Sequence, residues 1–211
     1  VVKAPLDVEI SEGPSDGAHA FLDSNLSGRL RMDVDQGVLT ITLAGKSVNL
    51  HDRARVLLRV PTLKSVRVEG SSDVEVKPRK VEVDALELRS SGSGEIDWQG
   101  GNAGDLTVAI GGSGDLKLKS RAKRAAVETT GSGDLALDLD VRGPLSIEQG
   151  GSGDVLLRGN VEVLAAKSQG SGSLTLRGSA SKFSMQIGGS GDLDAAKFPA
   201  REVAVETTGS G

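Results

Sequence analysis

The sequence has no cysteine and no tyrosine, one tryptophan, three phenylalanines and two histidines in 211 residues. Without thiols there are no disulfides, no thiol nucleophile and no thiolate metal site. The histidines, His19 and His51, stand 32 residues apart with no metal-pair or triad spacing, and read as surface or cap residues. Aromatic content of 2% leaves little for the platforms on which sugars stack. No apolar run approaches the roughly 18 residues that cross a bilayer, so membrane insertion is not expected. The 25 basic and 29 acidic residues are spread along the chain, so no basic stripe awaits a phosphate backbone and nucleic acid is not an expected partner. The chain starts VVKAPLDV without a methionine, as a mature or trimmed chain would, with any export signal already removed.

Glycine is abundant. Its 29 copies come to about twice average usage, which suits many tight turns between short strands. Most fall in one phrase, glycine-serine-glycine-acid, with first glycines at Gly70 (as GSSD), Gly92, Gly112, Gly131, Gly151, Gly170, Gly189 and Gly209. The spacings are 22, 20, 19, 20, 19, 19 and 20 residues, and a period near 20 means a solenoid. Four positions after the glycine stand Val74, Ile96, Leu116, Leu135, Val155, Leu174 and Leu193. Two further on stand Val76, Trp98, Leu118, Leu137, Leu157, Leu176 and Ala195. That alternation is a half-buried strand.

The segments before the glycine alternate too, from Leu86/Leu88 to Phe183/Met185/Ile187 and Val203/Val205. Two strands therefore meet at each phrase. Stacked coils put each strand in parallel register on its copy about 4.8 Å away, with the aliphatic rows inside, Trp98 and Phe183 among them. The corner needs glycine for a positive φ or for close approach of the next coil. Outward rows fit the stack, since Asp138 falls between Lys119 and Arg158, and Asp97 precedes Lys117. Residues 1–60 lack the phrase. Within them Arg29 to Leu43 alternates on both sides of Asp35-Gln36-Gly37, as in a β-hairpin or two adjoining strands. These residues are expected to form a strand-rich cap continuous with the repeats of 61–211.

The acids that close each phrase, Asp115, Asp134 and Asp154 among them, form a column that could hold calcium. The calcium-binding β-roll phrase is G-G-x-G-x-D, however, and the acid here is one position early. The favoured reading is that each carboxylate accepts backbone N–H groups at its own corner. A paired-carboxylate glycosidase has acids enough but none set apart from the others. No catalytic residue, metal or cofactor is therefore assigned. One outward surface is small and nearly uncharged, with Glu87, Thr107, Ala126, Ser146, Ala165, Ser184 and Ala204 in one row and Thr130 in another, separated by a charged line through Glu128 and Lys167. Such a face suits docking of a partner or a second protomer, and equally a solvated sheet.

The lead-in PTLKSVRVEGSSDVEV (Pro61 to Val76) and the coils SGSGEIDW, GGSGDLKL, TGSGDLAL and GGSGDVLL resemble the "putative auto-transporter adhesin, head GIN domain" family of bacterial envelope proteins. The resemblance covers nearly the whole chain. It implies a right-handed β-helix exported to the periplasm or cell surface, with an adhesive role and no catalytic residues. The chain departs from the pattern at Ser173, which replaces the acid, and at VETTGSG, which stops at the corner as a truncated or unpaired last coil would.

The expected fold is thus all-β, a right-handed parallel β-helix of about seven coils behind an N-terminal cap. The expected function is non-enzymatic presentation of a binding surface to a glycan or protein. Self-assembly through the open end near Gly209 is the alternative, ahead of a polysaccharide-active enzyme.

Overall fold

Alternating aliphatic residues make strands, and glycine-rich phrases bend them. In the computed structural model, which describes residues 1–23, 26, 28–45, 54–77 and 82–210, every regular element is a strand, and the strands wind into a β-solenoid of about seven turns. The N-terminal third holds β1 (Val2–Lys3), β2 (Asp7–Glu12), β3 (Gly17–Phe21), β4 (Leu30–Asp35), β5 (Val38–Leu43), β6 (Arg55–Val60), β7 (Ser65–Val68) and β8 (Val74–Lys77). The repeats hold β9 (Glu82–Ser90), β10 (Ile96–Ile110), β11 (Leu116–Thr129), β12 (Leu135–Gln149), β13 (Val155–Ser168), β14 (Leu174–Ile187), β15 (Leu193–Lys197) and β16 (Ala200–Thr207). From β9 onward each strand pairs in parallel with its copy one turn away, for example Leu116↔Leu135, Leu135↔Val155 and Val155↔Leu174.

The interior is the set of aliphatic rows. Ile96, Leu116, Leu135, Val155 and Leu174 are buried, as are Trp98, Leu118, Leu137, Leu157 and Leu176 behind them. Each fully buried side chain contributes roughly 1.5–3 kcal/mol, so the rows account for most of the driving force. In β11 the alternation breaks where two outward residues adjoin, at Lys123-Arg124. The pairing register shifts at the same place, between Ala122 and Ala125. Here the chain turns a second corner that the glycine phrase does not mark. A further bend, at Gly159 and Gly178, stacks two residues with φ near +130° one above the other, a backbone that only glycine takes easily.

Among the described glycines of the main corner, none has a positive φ, so close approach is what requires them. A Cβ on Gly131 would lie inside contact distance of the carbonyl oxygen of Gly112, and one on Gly151 would do the same at Gly131. That carbonyl is occupied because it accepts the N–H of the next serine, as in Ser132 to Gly112 at 3.0 Å and Ser152 to Gly131 at 3.1 Å.

The first twelve residues are a coil of the stack themselves. β2 lies between β6 and β8, and β1 between β5 and β7, all in parallel. Val8 is level with Val74, so Ala4-Pro5-Leu6-Asp7 stands where the glycine phrase stands in later coils. Outside this coil, β4 and β5 form the expected hairpin around Gln36 (φ 47°) and Gly37 (φ 78°), the positive pair that a type I′ turn uses. β3 pairs antiparallel with β6. Leu26 is buried at this end of the core. At the other end Phe198 is buried edge-on against Phe183, with ring centroids 5.8 Å apart.

Candidate functional site

The acid column is built from one hydrogen bond used repeatedly. Oδ1 of Asp115 accepts the N–H of Asp134 at 2.8 Å, Asp134 accepts that of Asp154 at 2.8 Å, and Asp154 accepts that of Ser173 at 2.8 Å. Asp73 does the same for Glu95 at 2.9 Å. The carboxylates thus tie neighbouring coils together and do not close their own corner, which corrects the expectation drawn from local turn chemistry. The reason is geometric: the Asp side chain points along the stack, where the next coil presents an amide about 4.8 Å further on. Glu95, one methylene longer, turns outward and pairs with Lys117 at 2.7 Å. Lys117 is the register partner of Asp97, as the outward row places it, while its ion pair is with Glu95.

Asp115, Asp134 and Asp154 are exposed and have committed one oxygen each to the next coil. Among the described residues no three Asp, Glu or His side chains gather where they could hold one metal ion. His19 is exposed in β3, and His51 lies outside the described residues. Trp98 and Phe183 are core residues, as their rows predict.

The small-residue face is assembled as the spacing predicts. Ala126, Ser146, Ala165 and Ser184 are consecutive register partners on β11 to β14, and Thr107 and Ala204 extend the row at either side. Glu128, Glu148, Lys167 and Gln186 form the charged line beside it. Thr130 belongs to a row in which glycine alternates with a larger polar residue: Ser91, Gly111, Thr130, Gly150, Gln169, Gly188, Thr208. Two shallow grooves follow this row. One, of about 450 Å³, is bordered by Arg67, Arg89, Gly111, Glu128 and Thr130. The other, of about 200 Å³, is bordered by Lys167, Gln169, Gly188, Glu206 and Thr208. Beside the first, a hydrogen bond from Arg89 holds the Glu87 carboxyl below its ordinary range, with burial acting the other way.

Faces elsewhere carry ion pairs: Arg124 makes a two-bond contact with Asp105 at 2.8 and 2.9 Å, Lys119 lies 3.7 Å from Asp138, and Arg177 lies 2.6 Å from Asp194. Exposed pairs of this kind are screened by solvent, so they bias the stack without holding it. The sequence hid one corner, Ala4 to Asp7. Its signal was Asp7 followed by Val8 and Ile10, the acid and the two aliphatic positions of the phrase without its glycines.

The profile of the family described as "Putative auto-transporter adhesin, head GIN domain" matches residues 1–143 and again residues 137–211. The chain belongs to this family. Solved structures share the solenoid fold of this head GIN domain chain. A "putative adhesin" from Bacteroides fragilis superposes with a TM-score of 0.83 at 23% identity, covering 92% of this chain and 90% of that one. A "putative adhesin" from Parabacteroides merdae gives 0.69 at 17% identity over 99% and 88%. A "putative lipid binding protein" from Parabacteroides distasonis gives 0.65 at 21% identity over 92% and 90%. At these identities the likeness is one of fold. No curated protein matches the chain.

Proposed function

We propose that this head GIN domain protein is exported and non-enzymatic, and that it acts as an adhesin by presenting a rigid β-helix surface to a glycan or protein at the cell envelope. Family membership supports the adhesive role and the exported location. The observation that carries the choice of surface is the row Ala126, Ser146, Ala165, Ser184, with Thr130 and its groove alongside. The inward rows and the corners account for the fold, and nothing in them requires four successive small outward residues. A flat face on a stiff sheet presents its groups without first having to order them, which favours binding.

The test is a screen of purified, labelled protein against glycans, peptidoglycan fragments, matrix proteins and lipid vesicles, in calcium and in chelator. Saturable binding is expected. Dependence on calcium would assign Asp115, Asp134 and Asp154 to the ligand, whereas binding unchanged by chelator leaves them as ties between coils. Turnover of a polysaccharide, lost on replacing particular acids, would overturn the non-enzymatic reading.

A further inference from the structure

Val1 to Glu12 come first in the chain but second in the stack. On one side β2 bonds to β6 and on the other to β8; the backbone of Asp7 donates to Ala54 at 2.9 Å and that of Val8 to Asp73 at 2.8 Å. In the same way Val1 accepts from Ile41, and Val2 accepts from Glu69, both at 2.9 Å. Both flanks of this coil therefore come from residues 38–77. To leave room for it, Pro61 to Lys64 carry the chain from β6 to β7 across two coil spacings, about 9.6 Å. The strands β5, β6, β7 and β8 thus border a slot one coil wide. Its occupant fills it with Val2, Ala4, Leu6, Val8 and Ile10, each no more than 6% exposed.

We propose that this slot is a strand-acceptor site whose partner in trans is the Val1 to Glu12 segment of a second copy, so that two chains can exchange their N-terminal coils. The flanking strands are made from later residues, so the segment either waits for them or enters afterwards. While the slot is empty, β5 to β8 present unpaired N–H and C=O groups, the condition under which an edge accepts a strand from another chain. The contacts inside the slot are identical whichever chain supplies the segment. Only the hinge differs, and exchange of an identical element is a low-cost route to a dimer. That hinge is Gly13-Pro14-Ser15-Asp16, of which the last three are exposed. It has to round the end of β6, because β2 and β3 lie on opposite sides of that strand.

Glu9 and Glu75 are register partners, and among the described residues, as in the whole sequence, there is no cysteine to interfere. The full chain carrying Glu9→Cys and Glu75→Cys is refolded at low and at high concentration, oxidised, and sized natively and in denaturant without reductant. Neighbouring strands at about 4.8 Å are within disulfide reach. The expected result is an internally bridged monomer at low concentration and, at high concentration, a dimer that stays covalent in denaturant. Deleting Pro14 and Ser15 leaves three Cα steps, at most about 11 Å, with no slack to round β6. In an otherwise unaltered chain this deletion should raise the dimer fraction at least tenfold, a readout that needs no cysteines. A dimer that denatures to internally bridged monomers would mean association through another surface, such as β16, and would overturn the proposal. So would a monomer at every concentration in both variants.

Discussion

The carboxylate of Asp134 accepts the backbone N–H of Asp154, one coil further along the stack, at 2.8 Å. A hydrogen bond to a charged acceptor is worth roughly 1.5–3 kcal/mol when buried and less at an exposed corner. Asp134→Ala is therefore expected to lower stability by about 1 kcal/mol, and Asp134→Asn, which keeps the acceptor oxygen, by less. Glu95→Asp should gain the bond to Asp115 that the longer side chain forgoes. Chemical denaturation of the three variants checks the ordering.

Adjacent glycines at one corner should behave oppositely. A Cβ on Gly151 collides with the Gly131 carbonyl, whereas one on Gly150 meets Thr129 and Thr130 at an ordinary 3.7 Å. Gly151→Ala should cost about 2–4 kcal/mol, because neighbouring coils must separate to admit the methyl group. Gly150→Ala should be neutral or stabilising by up to about 1 kcal/mol through the unfolded state. Thermal unfolding of the pair is sufficient to decide.

Inside the main corner, Thr129, Gln149 and Ser168 stack on successive coils. The hydroxyls of Thr129 and Ser168 are buried without a partner among the described residues, while Gln149 donates to the carbonyl of Gly153 at 2.7 Å. An unpaired buried polar group costs about 1–3 kcal/mol, and its removal without a change of shape is expected to recover part of that. Thr129→Val should raise stability by about 1 kcal/mol. A loss of similar size would show that the hydroxyl has a partner.

Acid should loosen the N-terminal coil. Lys3 lies 2.7 Å from Glu69, and its hydrogen bond holds the Glu69 carboxyl below the ordinary 4.5, with burial acting the other way. A folded value below the unfolded one gives stability that is complete above about pH 4.5 and is lost as the pH falls through the folded value. Protection factors at Val2 and Lys3, taken against the intrinsic exchange rate at each pH, should therefore fall in acid, and Glu69→Gln should reduce that pH dependence.

Most of the solenoid was legible because its determinants are local and repeated. The rows through Leu116 and Leu118, the glycine phrase, the hairpin at Gln36-Gly37 and the core placement of Trp98 are each written in a short stretch of sequence. What was not legible depends on the neighbouring coil. The amide bound by Asp134 belongs to a residue 20 positions later. The glycines were required by a carbonyl on the preceding coil, which left positive φ and close approach indistinguishable in sequence. The coil at Ala4 to Asp7 carries none of the glycines that mark the others. Its place between β6 and β8 follows from long-range pairing that a residue-by-residue period cannot register. The small face could be listed from spacing alone, but its grooves depend on how side chains such as Arg89 and Lys167 stand beside the glycines.

The most direct measurement compares the binding of the wild-type protein with that of a variant carrying Ala126→Lys, Ser146→Lys and Ala165→Lys, using a ligand found in the glycan, peptidoglycan and matrix-protein screen. The expected result is saturable binding by the wild type, loss of at least tenfold in affinity in the variant, and unchanged thermal unfolding, because these side chains lie outside the core. Undiminished binding by a folded variant would contradict the assignment of this face. A wild type that binds nothing in the screen would contradict the adhesive role itself.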